Sequence, residues 1–156
     1  MYKNAKQGWY RVINIGKIIV PIDETMESYR DGHFLYKSSL ELNALRFCDA
    51  NPGIVKFSLE PFPIKYIRPD DKQIHRYYID FYIEFVCGNK FLVEVKPFSQ
   101  TKAPRKPRKD TKKAQRNYQK DLKTWAINNA KWDAAKEFCQ KNNMKFIFLT
   151  EKELKF

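Results

Sequence analysis

Glycine is scarce in this chain, five in 156 residues, and no G-x-x-x-x-G-K-[ST] occurs. A backbone loop that cradles nucleotide phosphates needs such glycines, so an NTP-driven motor is not expected. Cysteine is limited to Cys48, Cys87 and Cys139, isolated, odd in number and without a C-x-x-C pair. That spacing builds neither a disulfide framework nor a zinc site, and the three read as reduced core thiols of a cytosolic protein. No apolar run approaches the ~20 residues of a membrane span. The first residues, MYKNAKQGWYRVINIGK, have no apolar core, which predicts no signal peptide. Acidic residues are in deficit, 18 against 30 Lys and Arg, for a net charge of +12. That imbalance favours a polyanionic partner, nucleic acid ahead of an acidic membrane surface.

What is present is a packing sequence. Hydrophobic residues make up 43% and aromatics 15%, which argues for a packed globule rather than disorder. The length suits one domain, 1–156, with an N-terminal arm over about 1–37 and a basic insert over about 98–124. Within the arm, YRVINIGKIIVPID predicts one short strand. A helix opens at SSLELNALRFCDANPG, with Ser38 or Ser39 as N-cap and Asn51-Pro52-Gly53 as the stop. IVKFSLEPFPIKYIRP reads as two short strands broken by Pro61 and Pro63. A hairpin follows, with strands near 76–86 and 90–96, and Pro97 ends it because proline has no N–H to donate.

The segment from Lys102 to Lys123 changes character, with ten Lys or Arg against Asp110 and Asp121. It holds two-thirds of the net charge. Its Pro-containing first half predicts a loop, and its second half suits a helix. WAINNAKWDAAKEFCQKNN is a second helical stretch with Trp132, Ala135, Phe138 and Cys139 on one face. MKFIFLT reads as a short buried strand and EKELKF as a last turn. The core order is therefore helix, three strands, helix, strand, an α/β arrangement with a mixed sheet between helices.

The hairpin carries an anomaly, since Asp80, Glu84, Glu94 and Lys96 interrupt otherwise apolar strands. Alternation puts Ile79, Phe81, Ile83 and Phe85 on one face, opposite Tyr78, Asp80, Tyr82 and Glu84. In the partner strand Phe91, Val93 and Val95 oppose Leu92, Glu94 and Lys96. Burying both apolar sets together leaves Asp80, Glu94 and Lys96 side by side. A two-residue turn at Gly88-Asn89 would put them on opposite faces, so an odd-length loop or a bulge is predicted. Mg²⁺ and Mn²⁺ prefer carboxylates, carbonyls and water, which Asp80, Glu94 and the Val95 carbonyl can supply. Such an ion polarises a phosphate and lowers the pKa of a bound water, and Lys96 can stabilise the developing charge. Metal-dependent phosphodiester hydrolysis fits D-x₁₃-E-x-K. Singly, each residue also fits an ordinary solvated strand face.

Glu41 has two readings. It completes a capping box with Ser38, reaching back to the cap's N–H. It also shares a stripe with Ala44, Leu45 and Cys48, where an unpaired carboxylate is costly and a metal would remove the cost. The basic run reads as a solvated tail or as a phosphate-neutralising tract, and it starts at the mouth of the proposed site. Its DNA-contact candidates are Lys102, Arg105, Lys106, Arg108, Lys109, Lys112, Lys113 and Arg116, with Arg76 beside His75. His33 and His75 lack ligand spacing and read as structural or solvent-facing. Trp9, Trp125 and Trp132 read as core.

A helix, a hairpin with Asp, Glu-x-Lys, then helix and strand resembles the PD-(D/E)XK nuclease superfamily. FLYKSSLE at 34–41, the run from Cys48 to Ile83, FLVEVKP at 91–97 and the stretch from Asn128 to Leu154 look like the head-completion nucleases of T4-type tailed bacteriophages. Related patterns occur in the endonuclease subunit of Tn7-type transposases. The resemblance implies a restriction-endonuclease-like core in which Glu41, Asp80 and Glu94 bind Mg²⁺ or Mn²⁺ and Lys96 assists catalysis. It departs at Ile79, where the motif has proline, and at Leu40, where the family carries tryptophan.

The role it implies is an endodeoxyribonuclease that cuts DNA during maturation of a packaged phage head. Phage head or portal proteins would be its partners. It would work in the cytoplasm of the infected bacterial host, with association with the virion as an extension. Two alternatives stay open: a non-catalytic, capsid-plugging DNA-binding protein, and a transposase-type endonuclease subunit.

Overall fold

A computed structural model describes residues 6–22 and 27–154. The first five residues of the arm, its segment 23–26 and the last two residues of EKELKF lie outside them.

The first helix, α1 (Ser39–Ala50), starts where expected. Ser38 is extended, and its hydroxyl accepts the Glu41 N–H at 3.0 Å. Asn51 ends the helix, and its side-chain oxygen accepts the Gly53 N–H at 2.8 Å. The far end of α1 is bolted to the arm. Buried Asp49 accepts bonds from the Tyr10 hydroxyl (2.7 Å) and the N–H groups of Ile13 (2.8 Å) and Asn14 (2.9 Å). Lys17 Nζ reaches the carbonyls of Cys48, Asp49 and Asn51, a cation at the negative end of the helix dipole.

Four strands form the central mixed sheet: β4 (Ile54–Leu59), β7 (Phe81–Phe85), β8 (Lys90–Val95) and β9 (Lys145–Leu149), in that spatial order. β7 is antiparallel to β4 and β8, while β9 lies parallel to β8. The second helix, α2 (Lys112–Lys141), supplies the crossover that a parallel pair requires. α1 packs Ala44, Leu45 and Cys48 with Phe57, Phe81, Ile83 and Val93 on one face. α2 packs Trp132, Ala135 and Cys139 with Leu92 and Ile79 on the other. The edge-to-face contact of Trp132 with Phe148 of β9 (4.9 Å) holds α2 down, and Trp125, two turns earlier on the same helix, packs edge-on against Trp132 (5.6 Å). This helix–sheet–helix arrangement is the restriction-endonuclease-like fold class.

The β7–β8 register pairs Phe81 with Val93 and Glu84 with Lys90, which leaves an odd number of residues, 85–89, between the last paired positions. Gly88 sits at φ +92, in the region that favours glycine, and the Phe85 N–H bonds the Asn89 carbonyl at 2.9 Å. Other expectations need correction. The expected strand 76–86 is two strands. β6 (Ile74–Tyr78) leaves the sheet to pair with β5 (Pro63–Ile67), and the chain breaks at Ile79-Asp80. Ile79 therefore packs on the α2 face, not with Phe81 and Ile83. Among its described residues the arm holds three strands rather than one: β1 (Gly8–Arg11), β2 (Tyr29–Arg30) and β3 (His33–Tyr36), in the order β1-β3-β2. The basic segment's second half and the following helical stretch are one 30-residue helix. Cys87 lies exposed in the β7–β8 loop rather than in the core. Trp9 is 43% exposed, with the Arg30 guanidinium 5.5 Å from its ring centre. No described helix is long and apolar enough to cross a membrane.

Asp49 carries a testable load. Burial works to raise its pKa, but the bonds from Tyr10, Ile13 and Asn14 outweigh it and the net shift is downward. Its stabilisation is therefore present above the ordinary carboxylate range and is lost as pH falls through the lowered folded value. Asp49→Ala should lower unfolding stability by about 3 kcal/mol, since it orphans several buried donors at once. Denaturant midpoints at neutral pH check this, and the deficit should shrink toward acid.

Candidate active site

Three elements meet where β6 leaves the sheet. One further step of the β7–β8 register sets Asp80 opposite Glu94. Asp80 Oδ2 accepts the Val95 N–H at 2.8 Å, a bond the ladder leaves open because the chain turns away at residue 79. Glu94 is 6% exposed, on the same face as Leu92. Its Oε2 accepts the Tyr77 hydroxyl, and its Oε1 faces Lys96 Nζ at 3.2 Å. The Lys96 ammonium also lies 5.8 Å from the ring centre of buried Trp132. Pro97 ends the strand as expected, and the Lys96 N–H bonds the Leu149 carbonyl of β9.

Glu41 approaches from α1. It does not complete the expected capping box, because its Oε2 accepts the Lys37 N–H at 2.8 Å rather than that of Ser38. Burial pushes its carboxyl pKa up; the Lys37 N–H opposes this, and the carboxylates of Glu60 and Glu94 add to it. Asp80 is pushed up strongly, first by burial, then by Glu94 and Glu41, against the Val95 N–H and Lys96. Like charges are concentrated here, and each makes the others harder to ionise.

Those side chains set the fit for a cation. Among the described residues, no three carboxylate, imidazole or thiol groups are gathered closely enough to hold an ion as they stand. Asp80 and Glu94, opposite one another on the strand pair, form a smaller set of carboxylate oxygens, and Glu41 acts on it through its charge. Magnesium keeps several waters and is often held by one or two carboxylates, so this set suits it.

The basic candidates all lie exposed: Arg76 on β6, Lys102, Arg105, Lys106, Arg108 and Lys109 in the loop after Pro97, and Lys112, Lys113 and Arg116 at the start of α2. The buried residues of α2 begin only at Trp132, so the first turns of the helix form a basic arm. A cleft of about 390 Å³ opens where this loop folds back on α2, lined by Lys102, Pro104, Asp121 and Trp125 among others. His75 pairs with Asp71 at 2.7 Å, and His33 bonds the Asp31 carbonyl, so neither joins the carboxylates.

Comparison with known proteins agrees with this architecture. The family model described as TnsA-like endonuclease N terminal matches residues 51–151. The chain is 32% identical over 120 residues to the Head completion nuclease of Enterobacteria phage T4, covering 77% of this chain and 80% of that one. This chain belongs to the TnsA-like endonuclease family. The family match contains Asp80, Glu94 and Lys96 and starts after Glu41.

Three residues near the centre of this TnsA-like domain escaped the sequence. Tyr77 orients Glu94, yet it reads as one aromatic among many in HRYYIDFYIEF. Lys131 lies within electrostatic reach of Glu94, Lys96 and Asp80 from α2, 35 positions beyond Lys96 in the chain. Glu60 adjoins Glu41; its backbone is at φ +49, and its N–H bonds the Asp80 carbonyl at 2.8 Å. One Glu60 oxygen faces Lys37 Nζ at 3.2 Å and the other is buried without a hydrogen-bond partner among the described residues. The one local signal was a glutamate locked before Pro61, which reads as a turn.

Because Asp80 is raised, the folded state holds its proton more tightly than the unfolded chain does. Metal-free stability should therefore fall as pH rises from the ordinary carboxylate range toward the raised folded value. Asp80→Asn keeps an acceptor for the Val95 N–H and removes the repulsion. In chelator near neutral pH it should melt about 2–4 °C higher than the natural protein, a gap worth roughly 1 kcal/mol. Melts across pH check this: the gap must close toward acid, and a pH-independent gap contradicts the charge argument.

Proposed function

We propose that this protein is a divalent-metal-dependent DNA endonuclease that acts in completing phage heads. The observation that carries the reading is the meeting of Asp80, Glu94 and Lys96 at one end of the β7–β8 pair, beside an exposed basic arm. Membership of the TnsA-like family and likeness to a phage head completion nuclease support the nuclease role and its setting. DNA is the substrate this reading names, and head or portal proteins are its partners. It places the work in the cytoplasm of an infected bacterium.

Asp80, Glu94 and the Val95 carbonyl would hold Mg²⁺ or Mn²⁺, with Glu41 adding negative charge, and the ion would supply charge to the scissile phosphate and acidity to a water. The protein's own groups do the remaining work. The Val95 N–H and the Tyr77 hydroxyl lock the two carboxylates, which spares reorganisation during the reaction. Lys96 has three N–H donors, one directed to Glu94 Oε1, so others remain for the phosphate oxygens where charge develops. The basic arm binds the duplex by neutralising phosphates, independently of sequence.

Incubation with supercoiled plasmid tests this. Nicking should require Mg²⁺ or Mn²⁺, stop in chelator, and fall by at least about 100-fold in Glu94→Ala and Lys96→Ala. Salt-sensitive DNA binding should persist in both variants. Binding that ignores chelator, with no cleavage under any divalent ion, would instead identify a non-catalytic DNA-binding protein.

A further inference from the structure

We infer that Lys131 is a second lysine of the active site, one that grips a backbone phosphate of the cleaved DNA strand. The inference rests on the endonuclease reading above and adds a substrate contact to it.

Lys131 projects from α2 one residue before Trp132, the buried anchor beneath Lys96. Its Nζ stands 5.7 Å from the Tyr77 ring centre and 6.0 Å from that of Tyr66, both buried rings of the β5–β6 hairpin. Tyr77 is the residue whose hydroxyl holds Glu94. Both ammonium groups therefore lie near the carboxylate centre, Lys96 beside Trp132 and Lys131 over the hairpin tyrosines.

Their pairing differs. Lys96 Nζ has Glu94 Oε1 at 3.2 Å, and Arg68 on the same hairpin has Asp70 at 2.8 Å. Lys131 is half-buried and makes no ion pair among the described residues. Burial lowers its pKa, Glu94 works to raise it, and Lys96 and Arg68 oppose that effect. A partly desolvated ammonium without a counter-ion is costly, and the ring contacts lie at the outer limit of cation–π range. An incoming anion would relieve the cost. In a nuclease site that anion is a phosphodiester of the substrate strand. A packing role for the lysine stem on the two rings predicts the opposite: only the methylenes would matter.

Lys131→Met keeps the stem and deletes the charge, while Lys131→Arg keeps the charge. Binding of the full-length protein to a fluorescent DNA duplex in chelator, measured against salt, separates the two roles. Lys131→Met should bind about 10-fold more weakly near 0.1 M salt and lower the log–log salt slope by about 0.9, and Lys131→Arg should restore the slope. Plasmid nicking at saturating DNA should fall by about 10-fold or more in Lys131→Met, with the melting midpoint retained.

An unchanged salt slope in Lys131→Met overturns the inference. So does a lowered slope that Lys131→Arg fails to restore, since the positive charge at this position is then not what sets it. Should the natural protein not nick DNA at all, the endonuclease reading fails, while the salt slope still reports separately on the phosphate contact.

Discussion

Asp80, Glu94 and Glu41 are drawn out of water close enough for each charge to be felt by the next, and much of the surrounding structure answers that repulsion. The compensation comes as directed donors: the Val95 N–H to Asp80, the Tyr77 hydroxyl and Lys96 to Glu94, the Lys37 N–H to Glu41. These contacts hold the carboxylates in place without neutralising all of their charge. A region that keeps such a residual field suits a hard dication and a phosphate better than it suits a protein interior.

The scaffold that enforces this crowding is a sheet with an independent core on each face. α1 brings Glu41 toward the sheet, and Asp49 and Lys17 anchor its other end to the arm, so the helix cannot slide away from the repulsion. α2 covers the opposite face through Trp132 and carries Lys131 to the same centre. The site lies where β6 leaves β7 for β5, because there the Val95 N–H of β8 bonds a carboxylate rather than a strand carbonyl. Asp80 takes that place.

The exposed basic charge and the carboxylate centre occupy different parts of the molecule. The loop after Pro97 and the first turns of α2 hold most of the excess positive charge, exposed and suited to phosphates of any sequence. The carboxylate centre is small and mostly buried. One continuous helix joins the two, so the arm that would hold DNA and the lysine facing the centre belong to one rigid element. The TnsA-like match covers the sheet, the basic segment and this helix together.

Much of this was legible in the chain. Ser38 and Asn51-Pro52-Gly53 bounded α1, alternation with the parity of the hairpin put Asp80 beside Glu94, and Pro97 marked the strand end, because caps, pleats and proline act over a few residues. Alternation assumes one unbroken strand, however, and the pairing of β6 with β5 broke it, sending Ile79 to the opposite face. Tyr77 and Lys131 carried no local signal, and Glu60 only its place before Pro61, since each matters through a neighbour distant in sequence. The sequence by itself determined the bounds of α1, the basic segment and the D-x₁₃-E-x-K spacing. Only the tertiary structure decided which charges are left without partners, because desolvation and Coulomb repulsion depend on distance in space, and that distance is set by how α1, the β5–β6 hairpin and α2 close on the sheet.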